Sequence, residues 1–348
     1  MEDVIKLASA KAYKMDLRDE MDSELLKLAF ERKIMAVTIP KKSGGIGEGY
    51  PKLCEIVEEL AKVNSGFALT VAAHHMAVNC IRMFGNEDWL KELTKKVGAF
   101  AVTEPHAGSD VASIKLKAEK KGDTFVLNGN KTLITNATFA DIFVVLAKVE
   151  EKPTAFIVER CDDMEFRKLE LMGMRGSGIA SIKFRDVEVP AENVLFEVGK
   201  GLKVILATLS KSRVVFSALG LGIAERCLEL AVKYAKERKA FGKNIAEFQG
   251  IQWMLAEISA EIEALKHLIY HTAELAERED VTKLSAMCKL LTARIAKRAA
   301  DIAVEIYGGH GLIRGSPVER AYRDVKALDI GEGTSEIMKM IIAGHILG

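Results

Sequence analysis

The chain has 348 residues, 49% of them hydrophobic and 28% charged, with only 6 prolines, which excludes a disordered or collagen-like polypeptide, leaves ample material for large buried cores and predicts two or three domains. Its 50 Lys and Arg against 49 Asp and Glu give a net charge of +1, so no global field draws it onto nucleic acid or an anionic membrane. Five scattered cysteines (Cys54, Cys80, Cys161, Cys227 and Cys288) form no CxxC pair, which argues against a disulfide framework or a zinc site.

Three regions follow one another along the chain. The acidic start, Met1-Glu2-Asp3-Val4, is unlike a secretory signal. Up to residue 97 the apolar residues keep helical spacing, as in Leu53, Ile56, Val57, Leu60 and Val63, and Ser43-Gly44-Gly45-Ile46-Gly47 breaks two helical stretches. Phe67 to Ile81 is the most apolar part, but His74, His75 and Asn79 interrupt it and it falls short of the ~20 residues of a membrane span. A cytoplasmic location without a membrane span is expected. Residues 98–199 carry short β-branched runs: Thr124 to Leu127, Thr132 to Thr135, Ile142 to Leu146, Ala155 to Val158 and Ser181 to Phe184. Asn128-Gly129 between the first two predicts a type I′ hairpin turn, because both positions accept positive φ. From residue 200 to 348 the helical period returns. Ile251, Leu255, Ile258, Ile262, Leu265 and Ile269 form one stripe, and Leu284, Met287, Leu291, Ile295, Ala299, Ile302 and Ile306 form another. Val204 to Ala235 is apolar on more than one face and predicts the central helix of a bundle. The fold class is therefore α+β multidomain: an α-helical region 1–97, a β region 98–199 and a helical bundle 200–348.

Several familiar motifs are absent. Gly220-Leu221-Gly222 lacks the third glycine of GxGxxG and sits in a helical run, which points to close helix packing. Gly242-Lys243 is followed by Asn244 where a Walker loop needs Ser or Thr. His267 and His271 are one turn apart without the glutamate of HExxH or a third ligand, so no metal is expected. GxSxG does not occur.

Three polar loops remain. Thr103-Glu104-Pro105-His106-Ala107-Gly108-Ser109-Asp110 follows an apolar strand and offers hydroxyls and free N–H groups suited to an oxygen-rich anion. Tyr307-Gly308-Gly309-His310-Gly311 interrupts the C-terminal helices. Gly331-Glu332-Gly333-Thr334-Ser335 precedes the last one, and there a carboxylate between two bare glycines can be approached closely. Thr334 or Ser335 is expected to cap that last helix, which favours the Glu332 anion, whereas burial raises its pKa.

At these residues the chain resembles the acyl-CoA dehydrogenase family over nearly its whole length. The motif TEPxAGSD matches Thr103 to Asp110, NGxKxxIT matches Asn128 to Thr135, and GxRGS matches Gly173 to Ser177. RxxFG followed by FQ matches Arg238, Phe241, Gly242, Phe248 and Gln249, GGxG matches Gly308 to Gly311, and RD with EGTsEI matches Arg323, Asp324 and Glu332 to Ile337. The resemblance implies an N-terminal helical domain, a central β domain and a C-terminal four-helix bundle, with FAD between the last two. It implies cofactor contacts from Ala101, Val102, Thr103, Gly108, Ser109, Leu133, Ile134, Thr135, Thr334 and Glu336. Arg238, Phe241, Phe248, Gln249, Glu305, Gly308 and Gly309 are implied to meet FAD as well, with Arg238, Phe241 and Gln249 addressing FAD bound to a neighbouring subunit of a homodimer or homotetramer. Ser109, Ser210, Arg213 and Gly333 are implied to face the acyl-CoA. Glu332 is the implied base for the α proton, the β hydride passing to flavin N5 and on to an electron-transfer flavoprotein, as in fatty acid β-oxidation.

Some positions depart from the family pattern: His106 for glycine, Leu133 for tryptophan, Ser210 for aspartate, Glu305 for glutamine, Gly331 for an aromatic residue and Gly344 for arginine. An acyl-CoA oxidase or a flavin monooxygenase relative would share the fold, although monooxygenase relatives generally lack the glutamate. A flavin-containing nucleic-acid-binding relative would need a clustered basic face; the densest group, Lys236, Arg238, Lys239 and Lys243, is already partly assigned to FAD.

Overall fold

A computed structural model describes residues 1–348. Five helices come first: α1 (Glu2–Arg18), α2 (Ser23–Glu31), α3 (Tyr50–Val63), α4 (Ser65–Phe84) and α5 (Glu87–Glu92). Eight strands follow: β1 (Gly98–Ala101), β2 (Lys117–Lys121), β3 (Thr124–Ile134), β4 (Ile142–Val149), β5 (Lys152–Glu159), β6 (Met164–Lys168), β7 (Ala180–Pro190) and β8 (Val194–Leu195). The rest is α6 (Gly201–Glu237), a two-stranded hairpin of β9 (Lys239–Ala240) and β10 (Lys243–Asn244), then α7 (Gln249–Leu275), α8 (Thr282–Tyr307), α9 (Pro317–Asp324), α10 (Ala327–Ile330) and α11 (Ser335–Leu347).

The sheet runs β6-β7-β3-β2-β4-β5-β8, with β1 parallel to β4. Strand β4 is buried on both faces, and its alternation feeds two cores. Phe143, Val145 and Ala147 enter one, while Ile142, Val144 and Leu146 enter another shared with α4 and the start of α6. The third and largest core joins the N-terminal helices to the bundle. Inside it the glycine pair of α6 permits close helix crossing: a Cβ on Gly220 would stand 2.2 Å from Thr292 Cγ2, and one on Gly222 2.2 Å from the Glu58 carbonyl oxygen. Helix α6 has the length and apolarity of a membrane span, and its apolar window is mostly buried within the protein.

One polar interruption of α4, His74, is an internal tie. His74 Nδ1 accepts from the Gly98 N–H at 2.9 Å, so Nε2 carries the proton and donates to the Met35 carbonyl at 2.7 Å. The imidazole thus fastens β1 to the N-terminal helices.

The expected hairpin at Asn128-Gly129 does not form. Residues 124–134 are one strand paired with β7, and the register shifts between Leu127 and Gly129. Asn128 instead pins this bulge, its side chain donating to Asp186 Oδ1 at 2.9 Å and accepting from the Asp186 N–H at 3.0 Å. Gly129 has φ +144°, and a Cβ there would lie 2.9 Å from Leu116 Cα, so both backbone conformation and space call for glycine. The tight turn lies at Gly122-Asp123, between paired Lys121 and Thr124. Of the pair, Gly129 alone takes a positive φ, and it serves a bulge here.

Candidate active site

Glu332 closes the short segment between α10 and α11. Its backbone lies in the left-handed region at φ +55°, followed by Gly333 at +104°. A non-glycine residue there costs on the order of 1 kcal/mol or more, so its surroundings must hold it. Two helices do so. From α6, Ser212 Oγ donates to Glu332 Oε2 at 2.8 Å and Arg213 Nε donates to the Glu332 carbonyl at 3.0 Å. From α8, Lys289 Nζ donates to the carbonyls of Asp329, at 3.2 Å, and Gly333. Thr334 Oγ1 caps α11 by accepting from the Ile337 N–H at 3.3 Å. Burial lifts the Glu332 carboxyl to about 7, against the opposing pull of Ser212, Arg213 and Lys289. Desolvation therefore outweighs the anion-stabilising groups. The N–H groups of Glu332 and Gly333 donate to no protein oxygen.

The bare Gly331 has a structural counterpart. A Cβ at that position would stand 3.0 Å from Phe216 Cζ, so the Phe216 ring, one turn beyond Ser212 on α6, occupies the adjoining space. Ser210 is buried and its hydroxyl turns back onto the Ala207 carbonyl at 2.9 Å. Glu336 is exposed in the first turn of α11, and nothing lies within 4 Å of a Cβ on Gly344.

A second cluster forms where β1 ends. Glu104 is buried and organises its loop, accepting from the N–H groups of Lys115 (2.7 Å) and Leu116 (3.0 Å) and from Lys131 Nζ (2.8 Å). His106 leans on it, with Nε2 3.4 Å from Oε2. Thr132 N–H donates to the Thr103 carbonyl at 2.9 Å, which sets Thr103 beside Leu133, Ile134 and Thr135. Ala101, Val102 and Ile134 send their side chains into the core, leaving only main chain for a ligand. Gly108 and Ser109 are exposed, and Leu133, at φ +57°, projects its side chain outward with 53% of the residue exposed.

Arg238, Phe241, Phe248, Gln249, Glu305, Gly308 and Gly309 gather at the far end of the bundle. Tyr234 of α6 stacks on Tyr307 of α8 at 4.2 Å, which brings these chain segments together. Phe241 is 96% exposed, at φ +52°. Ser212 and Arg238 are 26 residues apart on a helix that ends at Glu237, or roughly 39 Å along the axis at the usual rise. The two groups therefore stand toward opposite ends of α6.

Sequence reasoning missed two participants. Lys289 interrupts an apolar stripe and carries no motif. Asp324 was only a letter in RD, yet it is buried and joins three parts of the fold: Oδ1 accepts from the Met174 N–H at 2.5 Å, and Oδ2 accepts from the Ser65 hydroxyl. Neighbouring Arg323 binds Asp16 at 2.8 and 2.9 Å and the Met172 carbonyl at 2.8 Å.

The acyl-CoA dehydrogenase N-terminal, middle and C-terminal domain families match residues 4–99, 99–187 and 199–347. An acyl-CoA dehydrogenase of Bacillus subtilis is 37% identical over 96% of this chain and 92% of its own length. The CarC subunit of the caffeyl-CoA reductase-Etf complex of Acetobacterium woodii is 36% identical, over 94% and 90%. Butyryl-CoA dehydrogenase from Megasphaera elsdenii superposes with a TM-score of 0.95 at 36% identity, covering all of this chain and 98% of that one. The residues present fit the family's FAD. Apart from the adjoining residues, no protein atom lies within 4 Å of a Cβ built on Gly108, Gly242, Gly308 or Gly309, and Leu133 of the β region and Phe241, next to Gly242, each offer exposed apolar surface. The chain belongs to the acyl-CoA dehydrogenase family, FAD-dependent oxidoreductases that act on acyl-CoA.

Proposed function

We propose that this protein removes the α and β hydrogens of an acyl-CoA thioester to give a trans-2-enoyl-CoA, with Glu332 as the base for the α proton. The observation that carries this is the half-buried Glu332 carboxylate between two glycines, tuned to about 7. An α C–H beside a thioester is a weak acid, and a base poised near the working pH serves it best. Glu332 takes the proton on its carboxylate while Ser212 orients Oε2. The free N–H groups of Glu332 and Gly333 lie where a thioester carbonyl can be bound, so that charge developing on its oxygen meets fixed donors. Bound flavin supplies the two-electron acceptor for the β hydride at N5. Thr103, Thr135 and the exposed Leu133 would hold the flavin ring, and Ser109 a phosphate. The Gly333 main chain and Arg213 border the acyl-CoA, Arg213 through its hold on the Glu332 carbonyl.

The separation along α6 supports a homodimer or dimer of dimers in which Arg238, Phe241, Phe248, Gln249, Glu305, Gly308 and Gly309 address the neighbouring subunit's cofactor. Arg238→Ala and Phe241→Ala should each weaken flavin retention roughly tenfold, read as FAD content after gel filtration, while the pH dependence set by Glu332 stays in place. Transfer to an electron-transfer flavoprotein is the acceptor route, supported by the relative that is a subunit of an Etf complex. The test of the whole reading is anaerobic titration with a panel of acyl-CoAs while flavin absorbance is followed. Bleaching by at least one of them, with an enoyl-CoA as product, is the expected result. Stoichiometric peroxide from the reduced protein in air at a turnover rate would identify an oxidase instead.

A further inference from the structure

We infer that Lys289 is a positioning residue for the reaction: from α8 it holds the two carbonyls that bracket Glu332, and so keeps that residue in its left-handed conformation. This rests on the reading of Glu332 as the base. Lys289 is 1% exposed and belongs to none of the ion pairs of the protein. A lysine is seldom buried without a carboxylate, because its charge loses hydration. Here the ammonium is met instead by the carbonyls of Gly333 and Asp329, the latter at 3.2 Å. The Asp329 carboxylate is engaged elsewhere, by Lys297 at 2.6 Å and Lys326 at 3.0 Å.

With Arg213 on the carbonyl between them, two buried cations from two helices grip three carbonyls across five residues. That grip opposes the tendency of Glu332 to leave a positive φ. It also sets the local charge. The titratable and charged groups that face Glu332 are Arg213 on α6 and Lys289 on α8, and those facing Lys289 are Glu332, Asp329, Arg213 and, from α11, Glu336.

The experiment compares the FAD-loaded wild type with Lys289→Met, an unbranched side chain one atom shorter and without charge or donor, and with Lys289→Gln, which keeps a donor without charge. The Met variant should retain FAD, unfold thermally at or above the wild-type temperature and bind acyl-CoA with little change in KM. Its kcat for flavin bleaching should fall about 10²-fold, the cost of a misplaced reacting group. The half-maximal pH of kcat should move up, since a cation that favours the Glu332 anion is gone. The Gln variant should recover part of the rate and keep the pH displacement. A crystal structure of Lys289→Met should show Glu332 out of its φ of +55°. A wild-type rate and wild-type pH dependence in Lys289→Met, or an unchanged Glu332 backbone, would overturn the inference. Where the Met variant does not fold, an unshifted pH limb in Lys289→Gln overturns it. If no acyl-CoA bleaches the wild type, it is the reading of Glu332 that fails, a result distinct from an active wild type matched by active Lys289 variants.

Discussion

Glu332→Gln is expected to leave the protein yellow and to end its bleaching by acyl-CoA. Glutamine keeps the volume and a hydrogen-bonding partner for Ser212 but cannot take a proton, so the loss should be roughly 10²–10⁴-fold in the bleaching rate. In the wild type the rate should rise with pH through about 7, following ionisation of a carboxyl lifted by burial. Stability should change in the opposite sense. A carboxyl whose folded pKa lies above its unfolded value of 4.5 makes the folded state bind more protons, so wild-type stability falls as pH rises from about 4.5 through 7. The glutamine variant lacks this slope. Above pH 7 it should gain up to about 3 kcal/mol on the wild type, the difference vanishing near pH 4; thermal unfolding across pH reads it. Bleaching that persists at the wild-type rate in the variant would place the base elsewhere, and equal unfolding temperatures at pH 8 would mean that the carboxylate is not desolvated.

The α, β and α order was legible because the periods of 3.6 and 2 are long-range properties of the sequence. The central helix α6 declared itself by being apolar all round. Glu332 was legible because a carboxylate between glycines has no packing reason to be there. Other features were hidden for physical reasons. Asn128-Gly129 permits a positive φ whether the chain turns back or bulges, and only pairing with β7 decides between them. Strand β6, Met164 to Lys168, turns only Met164 and Phe166 toward the core, too short an alternation to stand out, and its pairing with β7 carries it. The buried face of α8 formed by Ala286, Lys289, Ala293, Ala296, Ala300 and Ala303 keeps helical spacing, but alanine is a weak signal and a lysine within the stripe reads as solvent-facing. The role of Lys289 depends on carbonyl oxygens 40 and 44 residues away, which side-chain patterning does not encode. The departures also became intelligible in space: Gly331 adjoins the Phe216 ring, and His106 leans on Glu104.

Asp324→Ala should be the most destabilising of the changes considered, by about 2–4 kcal/mol in denaturant unfolding. The substitution removes the acceptor shared by the Met174 N–H and the Ser65 hydroxyl and leaves both buried donors unsatisfied where the N-terminal helices, the sheet region and the bundle meet. Little space is available for relaxation, since a Cβ on Gly173 would already stand 2.4 Å from the Arg323 carbonyl oxygen. Asp324→Asn separates geometry from charge. Its Oδ1 can still accept from Met174, and its amide can donate to the Ser65 hydroxyl, so near neutral pH it should stay close to the wild type. Burial raises the Asp324 pKa from 3.8, against the pull of Ser65 and Met174. Ionisation therefore weakens the folded state, and wild-type stability declines as pH rises above 3.8, a slope that the Asn variant lacks. The expected order at pH 8 is Asn at or above wild type, with Ala far below. Loss of stability in Asn as large as in Ala would show that the negative charge itself, answered by Arg320 and Arg323, holds the junction. Because α9 leads through α10 into the Glu332 segment, the Ala variant should also lose bleaching activity before it unfolds, as the three regions part at the point from which the base is suspended.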